Sequence, residues 1–387
     1  MTKNVVFGII GLVILLLLAV FAESILPLCF IAAFLLISPG SLLLGRVFGK
    51  KLSASLSLEE LSEKERDING TLEVRNDSVF PFPVIRAEVK TENRLTGEET
   101  VCTVPLAVAS KGRDSVAFAL SARHCGKILV SVPRLRVCDF FGLLSFSVPI
   151  TAKKETLVLP ELFPTDVVVV KSGVTEPECD TFSPYRSGND PSETFGIRDY
   201  EPGDALRSVH WKLTGKYDRL VIREASLPIN ESVLILFERI CPEQTAFSSP
   251  EARNALGEIM LSLSNRLTEM NLAHTVGWLR EDGGAFLSHR IDSEESFQLV
   301  MAEVLSVSEI RGQEDTAEAY LKTAEHGEYS NIVYIASHES ECFSLLSPMA
   351  KKTVILCGED KNDFCTEAGI YQVTPQNYRE ALMQIMI

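Results

Sequence analysis

The sequence predicts three structural parts in series: two N-terminal transmembrane helices, an all-β sandwich and a doubly wound α/β domain. Three observations carry this. Two long uncharged runs open the chain, short alternating runs separated by turn residues fill positions 52–152, and strand-like and helix-like segments alternate from 230 to 387. The 387 residues exceed what one core serves, so more than one domain is expected.

The opening runs come first. Between Lys3 and Glu23 lie 19 uncharged residues, and between Glu23 and Arg46 lie 22. A helix needs about 20 apolar residues to cross a hydrocarbon core, and a hairpin of two helices satisfies its own backbone groups there. The spans are placed at about 4–22 and 25–45, inside a segment 1–51. Glu23-Ser24 and Pro27 mark the turn, and Pro39-Gly40 is expected to kink or fray the second helix near its end. Lys3 precedes the first run and Arg46, Lys50 and Lys51 follow the second. Cationic flanks stay inside, which predicts a multi-pass protein of the inner (plasma) membrane with its soluble domains facing the cytoplasm. A cleaved signal peptide ending near Val20-Phe21-Ala22 is the rival reading, although its apolar run is long for one.

Composition narrows the compartment and the partners. The nine cysteines form no C-x-x-C pair and stand at no zinc spacing with histidine, a usage that fits a reducing compartment. Removing the four cations and one acid of the first 51 residues from the totals of 37 Lys+Arg and 52 Asp+Glu leaves a net charge of −18 on the remainder. Such a surface repels nucleic acid.

Residues 52–152 read as an immunoglobulin-like sandwich of about seven strands. Thr71–Arg75, Val84–Val89, Ser115–Leu120 and Lys127–Val132 alternate, with turn chemistry at Asn76-Asp77-Ser78, Thr96-Gly97-Glu98 and Lys111–Asp114 between them. Residues 153–229 show few regular patterns and read as a connecting region. From 230 the continuous apolar run Val233–Phe237 predicts a strand buried on both faces. Ser249-Pro250 starts a helix over about 250–270 with apolar residues at 3–4 spacing, strands follow at about 272–279, 332–336 and 353–357, and a terminal helix begins at Pro375. That alternation is the doubly wound pattern.

The densest segment is 194–212. It holds Gly196, Arg198, Tyr200, Gly203, Asp204, Arg207, Trp211 and Lys212. Pro202-Gly203 predicts a turn, Asp204 a helix cap, and Asp204 with Arg207 an i,i+3 ion pair. Residues 186–223 carry seven Lys/Arg and six Asp/Glu, near neutral within an acidic region.

The pattern G-x-R-x-Y-x-x-G-D-x-x-R-x-x-x-W-K resembles the hallmark of the family catalogued as domain of unknown function 58, with His210 where an acidic residue often stands. Arg123-His124-Cys125-Gly126 is similar to the family's R-G turn, Asp139-Phe140-Phe141-Gly142-Leu143 to its D-P-F-G-L with Phe140 in place of proline, and Leu157–Pro160 to its V-x-P strand. The resemblance spans nearly the whole chain. It implies a von Willebrand factor type A-like C-terminal domain, and a MoxR-type AAA+ ATPase and a transglutaminase-like membrane protein as partners in a membrane-associated assembly or maturation system. It implies no established enzymatic activity and no cofactor.

Type A domains hold Mg²⁺ at a D-x-S-x-S loop after the first strand. Here that strand runs into Glu238-Arg239-Ile240-Cys241, and the later strand into Ser337-His338-Glu339, so no conventional metal site is expected near Glu238. The leading expectation is a non-enzymatic, membrane-anchored scaffold or adaptor. The alternatives are a cryptic hydrolase using Cys179 with His210 and Asp199, and a metal-dependent adhesion-type module. Glu176, Glu178 and Asp180 beside Cys179 disfavour a reactive thiolate. The hallmark itself has two readings: a clamp with Trp211 in a core and Arg198, Asp204 and Arg207 paired internally, or a docking surface whose arginines meet partner carboxylates.

Overall fold

The computed structural model describes residues 3–21, 25–169, 182–201, 205, 208–217, 219–228, 233–242, 248–280, 285–312, 315–323, 329–338, 340, 342–346, 350–358 and 369–387. Helix α1 (Lys3–Phe21) is followed by α2 (Leu26–Phe48). Among the described residues one helix, Leu26–Lys51 with its terminal 3-10 turn, is long and apolar enough to cross a membrane, and α1 supplies a shorter apolar stretch, Ile10–Phe21. Pro39 does not end α2. The helix continues through it to Phe48, nine residues further. Proline withholds the amide that would bond the carbonyl of Leu35, and the helix continues without that bond; three residues on from Ser38, Ser41 Oγ donates to the Ser38 carbonyl at 2.8 Å.

A β-sandwich follows, made of β1 (Leu52–Leu58), β2 (Leu61–Glu63), β3 (Asp67–Asn76), β4 (Phe82–Asn93), β5 (Glu99–Val108), β6 (Arg113–Ser121), β7 (Gly126–Cys138) and β8 (Ser145–Leu159). One sheet runs β1-β3-β6 and the other β2-β8-β7-β4-β5. All pairings are antiparallel except β2 with β8. Strict alternation in β3 turns Ile68, Leu72 and Val74 inward, and β4 contributes Ile85, Ala87 and Val89 to the same core. There are eight strands where about seven were expected. The sandwich also runs past 152, where it was expected to end: β8 continues to Leu159 because it stays paired with β7 on both sides of a bulge at Val132–Arg134.

Beyond β9 (Asp166–Val168), a two-stranded hairpin pairs β10 (Phe182–Asp199) with β11 (Val221–Pro228), with α3 (Trp211–Tyr217) between them. Four register shifts interrupt this ladder, which explains why its residues show no period of two.

The last unit is an α/β layer structure. Its strands are β12 (Val233–Phe237), β13 (Ile240–Pro242), β14 (His274–Leu279), β15 (Phe286–Ile291), β16 (Ile310–Gly312), β17 (Asn331–Ala336), β18 (Lys351–Cys357), β19 (Ile370–Val373) and β20 (Gln384–Met386). The helices are α4 (Pro250–Glu269), α5 (Glu294–Val304), α6 (Thr316–Lys322) and α7 (Tyr378–Ala381). The main sheet has the order β15-β14-β12-β17-β18-β19, parallel throughout except for the antiparallel edge strand β15. Two apolar clusters cover its faces. Val233, Ile235 and Phe237 enter the one shared with α4 and α5, and Leu234 and Leu236 enter the one shared with α6. Ser249 Oγ accepts the amide of Ala252 at 3.2 Å and caps α4. The chain ends differently from expectation: the terminal helix is the short α7, and β20 then pairs in parallel with β9.

Candidate functional site

Ligand sites in open parallel sheets lie at the carboxyl ends of the strands. Glu238 occupies that position after β12 and is only 3% exposed. Its Oε1 accepts the amides of Arg239 (2.8 Å) and Ile240 (2.6 Å) and the Thr316 hydroxyl (3.1 Å). Its Oε2 accepts the Thr316 amide (2.7 Å) and the Tyr334 hydroxyl (3.0 Å). Asp315 caps α6 through the amide of Glu318 (2.7 Å) and accepts the Ser340 hydroxyl (2.5 Å). Burial pushes the Glu238 carboxyl above its ordinary range, against the pull of its donors. Burial likewise raises the Tyr334 phenol.

A carboxylate offers about four lone-pair positions, and five protein donors already take those of Glu238. The group therefore ties β12, α6 and β17 together and has no oxygen to offer a cation. Among the described residues no three His, Cys, Asp or Glu side chains gather as metal ligands. Glu339 lies outside the described residues. The sequence marks Glu238 only as a degenerate metal position, because its partners Thr316 and Tyr334 are 78 and 96 residues away and leave no local signal.

The hallmark residues fall on the hairpin. Gly196 and Arg198 lie on β10, and Tyr200 follows with its amide on the carbonyl of Leu220 at 3.0 Å. Arg198 Nε donates to Glu224 Oε1 at 3.0 Å, and a terminal nitrogen of Arg198 donates to the carbonyl of Asp199 at 3.0 Å. Arg219 pairs with Asp199 at 2.8 Å. Gly203, Asp204 and Arg207 lie outside the described residues, so the cap and ion pair expected of them do too. Trp211 corrects an expectation. It is 67% exposed at the first residue of α3, not packed in a core, and the residues of the arm described as buried are Val209, Val221 and Ile222. Lys212 is exposed beside it. Ile197, Tyr217 and Leu220 are exposed as well, and Lys216 and Arg219 lie 5.6 and 5.9 Å from the Tyr217 ring centroid. Sequence reading did not single out Tyr217, Lys216 or Arg219.

The members of the Cys–His hydrolase arrangement go elsewhere. Cys179 lies outside the described residues. His210 caps α3, its carbonyl accepting from Leu213 and Thr214 and its Nδ1 accepting the Leu213 amide at 3.4 Å, while Asp199 is held by Arg219. Burial raises the thiols of Cys102, Cys125, Cys138, Cys241 and Cys357, the last to about 12, which keeps each protonated.

A third polar cluster joins the sandwich to the α/β unit. Glu258 on α4, its side chain fully buried, accepts Lys64 Nζ (2.6 Å), the Tyr378 hydroxyl (2.5 Å), Arg379 (2.9 Å) and Asn254 (3.2 Å). Arg379 also reaches Glu161 at 2.8 Å. The Arg123–Gly126 turn packs at this seam: Asn254 Oδ1 accepts the Cys125 amide at 2.9 Å, and the Lys127 amide donates to the carbonyl of Leu305 at 2.8 Å. Gly126 holds φ +131° with its Cα against Asn93 and Leu95, where a Cβ would collide.

No family model matches this chain, and no curated protein does. Among solved structures, the CARDB domain of the PF1109 protein from Pyrococcus furiosus is 11% identical, covering 28% of this chain and 91% of that one with a TM-score of 0.22. A cohesin module from a Clostridium perfringens family 33 glycoside hydrolase is 9% identical over 28% of this chain and 98% of its own, also at 0.22. A β-glucosidase from Listeria innocua is 13% identical over 28% of this chain and only 16% of its own length, at 0.18. Likenesses this slight assign no function.

Proposed function

We propose that this chain is a non-enzymatic, membrane-anchored scaffold or adaptor whose hairpin arm docks a partner protein. Both α1 and α2 cross the inner membrane, the sandwich and the α/β unit face the cytoplasm, and the α/β unit is of the von Willebrand factor type A-like kind with its metal position given over to internal support. The partner that the hallmark resemblance implies is a MoxR-type AAA+ ATPase. The observation that carries this reading is the arm's exposed apolar and cationic set: Ile197, Trp211, Tyr217 and Leu220 beside Lys212, Lys216 and Arg219. Exposed aromatics with arginine are what protein interfaces are enriched in. The cationic flanks Lys3, Arg46, Lys50 and Lys51 support the orientation. The saturated Glu238 and the protonated thiols support the absence of metal or cysteine chemistry at those groups. The test is capture of the ATPase by the full chain in detergent or nanodiscs, comparing the native protein with Trp211→Ala and Arg198→Ala. Unchanged capture by both folded variants would remove the arm from the docking site.

A further inference from the structure

We propose that the turn Asp139–Leu144, between β7 and β8, inserts into the lipid beside α2, giving the sandwich its own membrane contact. This rests on the reading of α2 as a membrane span.

The turn is built against that helix. Asp139, buried, accepts the amides of Leu143 (2.6 Å) and Leu144 (2.8 Å) on Oδ1 and the Ser38 hydroxyl of α2 on Oδ2 (2.5 Å). The Phe140 amide donates to Ser41 Oγ at 3.4 Å, and the Phe141 ring lies 4.8 Å from that of Phe34, a full turn of α2 further from the sandwich. Gly142 takes φ +70°, which lets the turn close. The outward face is apolar: Phe140 is 59% exposed, Leu144 50% and Phe141 43%. The amides of Phe140, Gly142, Leu143 and Leu144 are thus bonded within the turn or to α2, the carboxylate is tied off and the rings lie outside, which lowers the cost of bringing this backbone to lipid.

Helix length decides the depth. The twelve residues Leu26–Ile37, before the turn's contact at Ser38, rise only about 18 Å, against a hydrocarbon thickness of about 30 Å. For α2 to cross, roughly eight further residues must lie within the core, taking it close to Arg46. The turn packs along that stretch, at Phe34, Ser38 and Ser41, and so lies at the same depth. The exposed side chains of Leu36, Ile37, Leu43, Leu44 and Val47 make the helix faces turned away from the turn apolar along the same stretch. Charge marks its lower limit. Arg86 and Arg136 lie within electrostatic reach of Cys138, one residue before the turn, and Arg46, Lys50 and Lys51 stand at the end of α2. Cations at that level meet headgroup phosphates.

The test uses the full chain reconstituted into phosphatidylcholine/phosphatidylglycerol vesicles, with or without bromine on the acyl chains. Phe140→Trp and Leu144→Trp each place a reporter in the turn, and Val101→Trp, exposed on β5 and paired with Lys90 toward the far end of β4, places one away from it. The expected result is co-flotation with vesicles and loss of most of the added emission of both turn reporters in brominated lipid, with the Val101→Trp emission retained. Flotation with unquenched turn reporters overturns the insertion while leaving the anchor intact. Equal quenching at all three positions overturns it as non-specific adsorption, and failure to float overturns the anchor and the insertion together.

Discussion

At the scale of single residues, the informative groups are buried polar ones whose surroundings leave them one role. Removing Glu238 strands five donors at the carboxyl end of the sheet. Glu238→Ala is therefore expected to destabilise the chain by about 2–4 kcal/mol, and a shift of the urea midpoint measures it. Glu238→Gln, which brings two donors where only acceptors are wanted, is expected to be intermediate. Addition of Mg²⁺ leaves the midpoint of the native protein unchanged if Glu238 serves structure alone. His274 offers a pH signature. Its Nδ1–H donates to the carbonyl of Leu272 (3.0 Å), and its Nε2 accepts from the Ser264 hydroxyl (2.7 Å), so the folded site wants the neutral ring. Burial lowers its pKa from 6.5 to about 4. The unfolded chain then binds the extra proton first as pH falls. The contribution is fully present above 6.5 and is lost progressively down to about pH 4, on the order of 3 kcal/mol in all. Urea midpoints across that range for the native protein and His274→Gln check this, the variant showing a shallower fall.

At the scale of elements, legibility followed the range of the determining contacts. The strand Val233–Phe237 was readable because both its faces are apolar, and α4 because Ser249-Pro250 and a 3–4 apolar spacing are local signals. The second span, placed at about 25–45, already crosses Pro39, and α2 does run through it, ending at Phe48. The hairpin arm was not readable, since its register shifts erase the alternation. The exposure of Trp211 was hidden for a related reason: the same residue types serve a core or a surface, and only the folded arm, in which Val209, Val221 and Ile222 are buried and Trp211 is not, separates the two. Because Trp211 stands at the start of a short helix none of whose residues is buried, Trp211→Ala is expected to leave the thermal midpoint essentially unchanged. Its cost to partner binding, if it acts as an anchoring residue, is on the order of 2 kcal/mol, or roughly thirty-fold in affinity. Thermal melts read the first half of that statement, and titration calorimetry with the proposed ATPase partner reads the second, each against the native chain.

At the scale of the whole molecule, the seam between sandwich and α/β unit couples parts that the sequence presents as separate. Lys64 and Glu258 stand 194 positions apart, and no local pattern announces their meeting. Glu258→Ala leaves Lys64, Tyr378, Arg379 and Asn254 without their shared carboxylate and is expected to cost roughly 3–5 kcal/mol, whereas replacing Lys64 as well by an apolar residue relieves the cation with the least exposure and costs less than the single change. Thermal melts of the two variants distinguish a structural seam from an incidental contact. With the seam closed and the turn at Asp139 seated on Ser38, the anchor, the sandwich and the α/β unit are linked in sequence by buried contacts. The proposed scaffold, presenting its arm to a cytoplasmic ATPase, requires such continuity, and above all the proposal requires the chain beyond the helices to be on the cytoplasmic side of the membrane. Protease digestion of sealed vesicles tests this most directly. The account predicts that residues beyond 51 are cleaved in inside-out vesicles and protected in intact spheroplasts; cleavage in spheroplasts with protection in inside-out vesicles would contradict it.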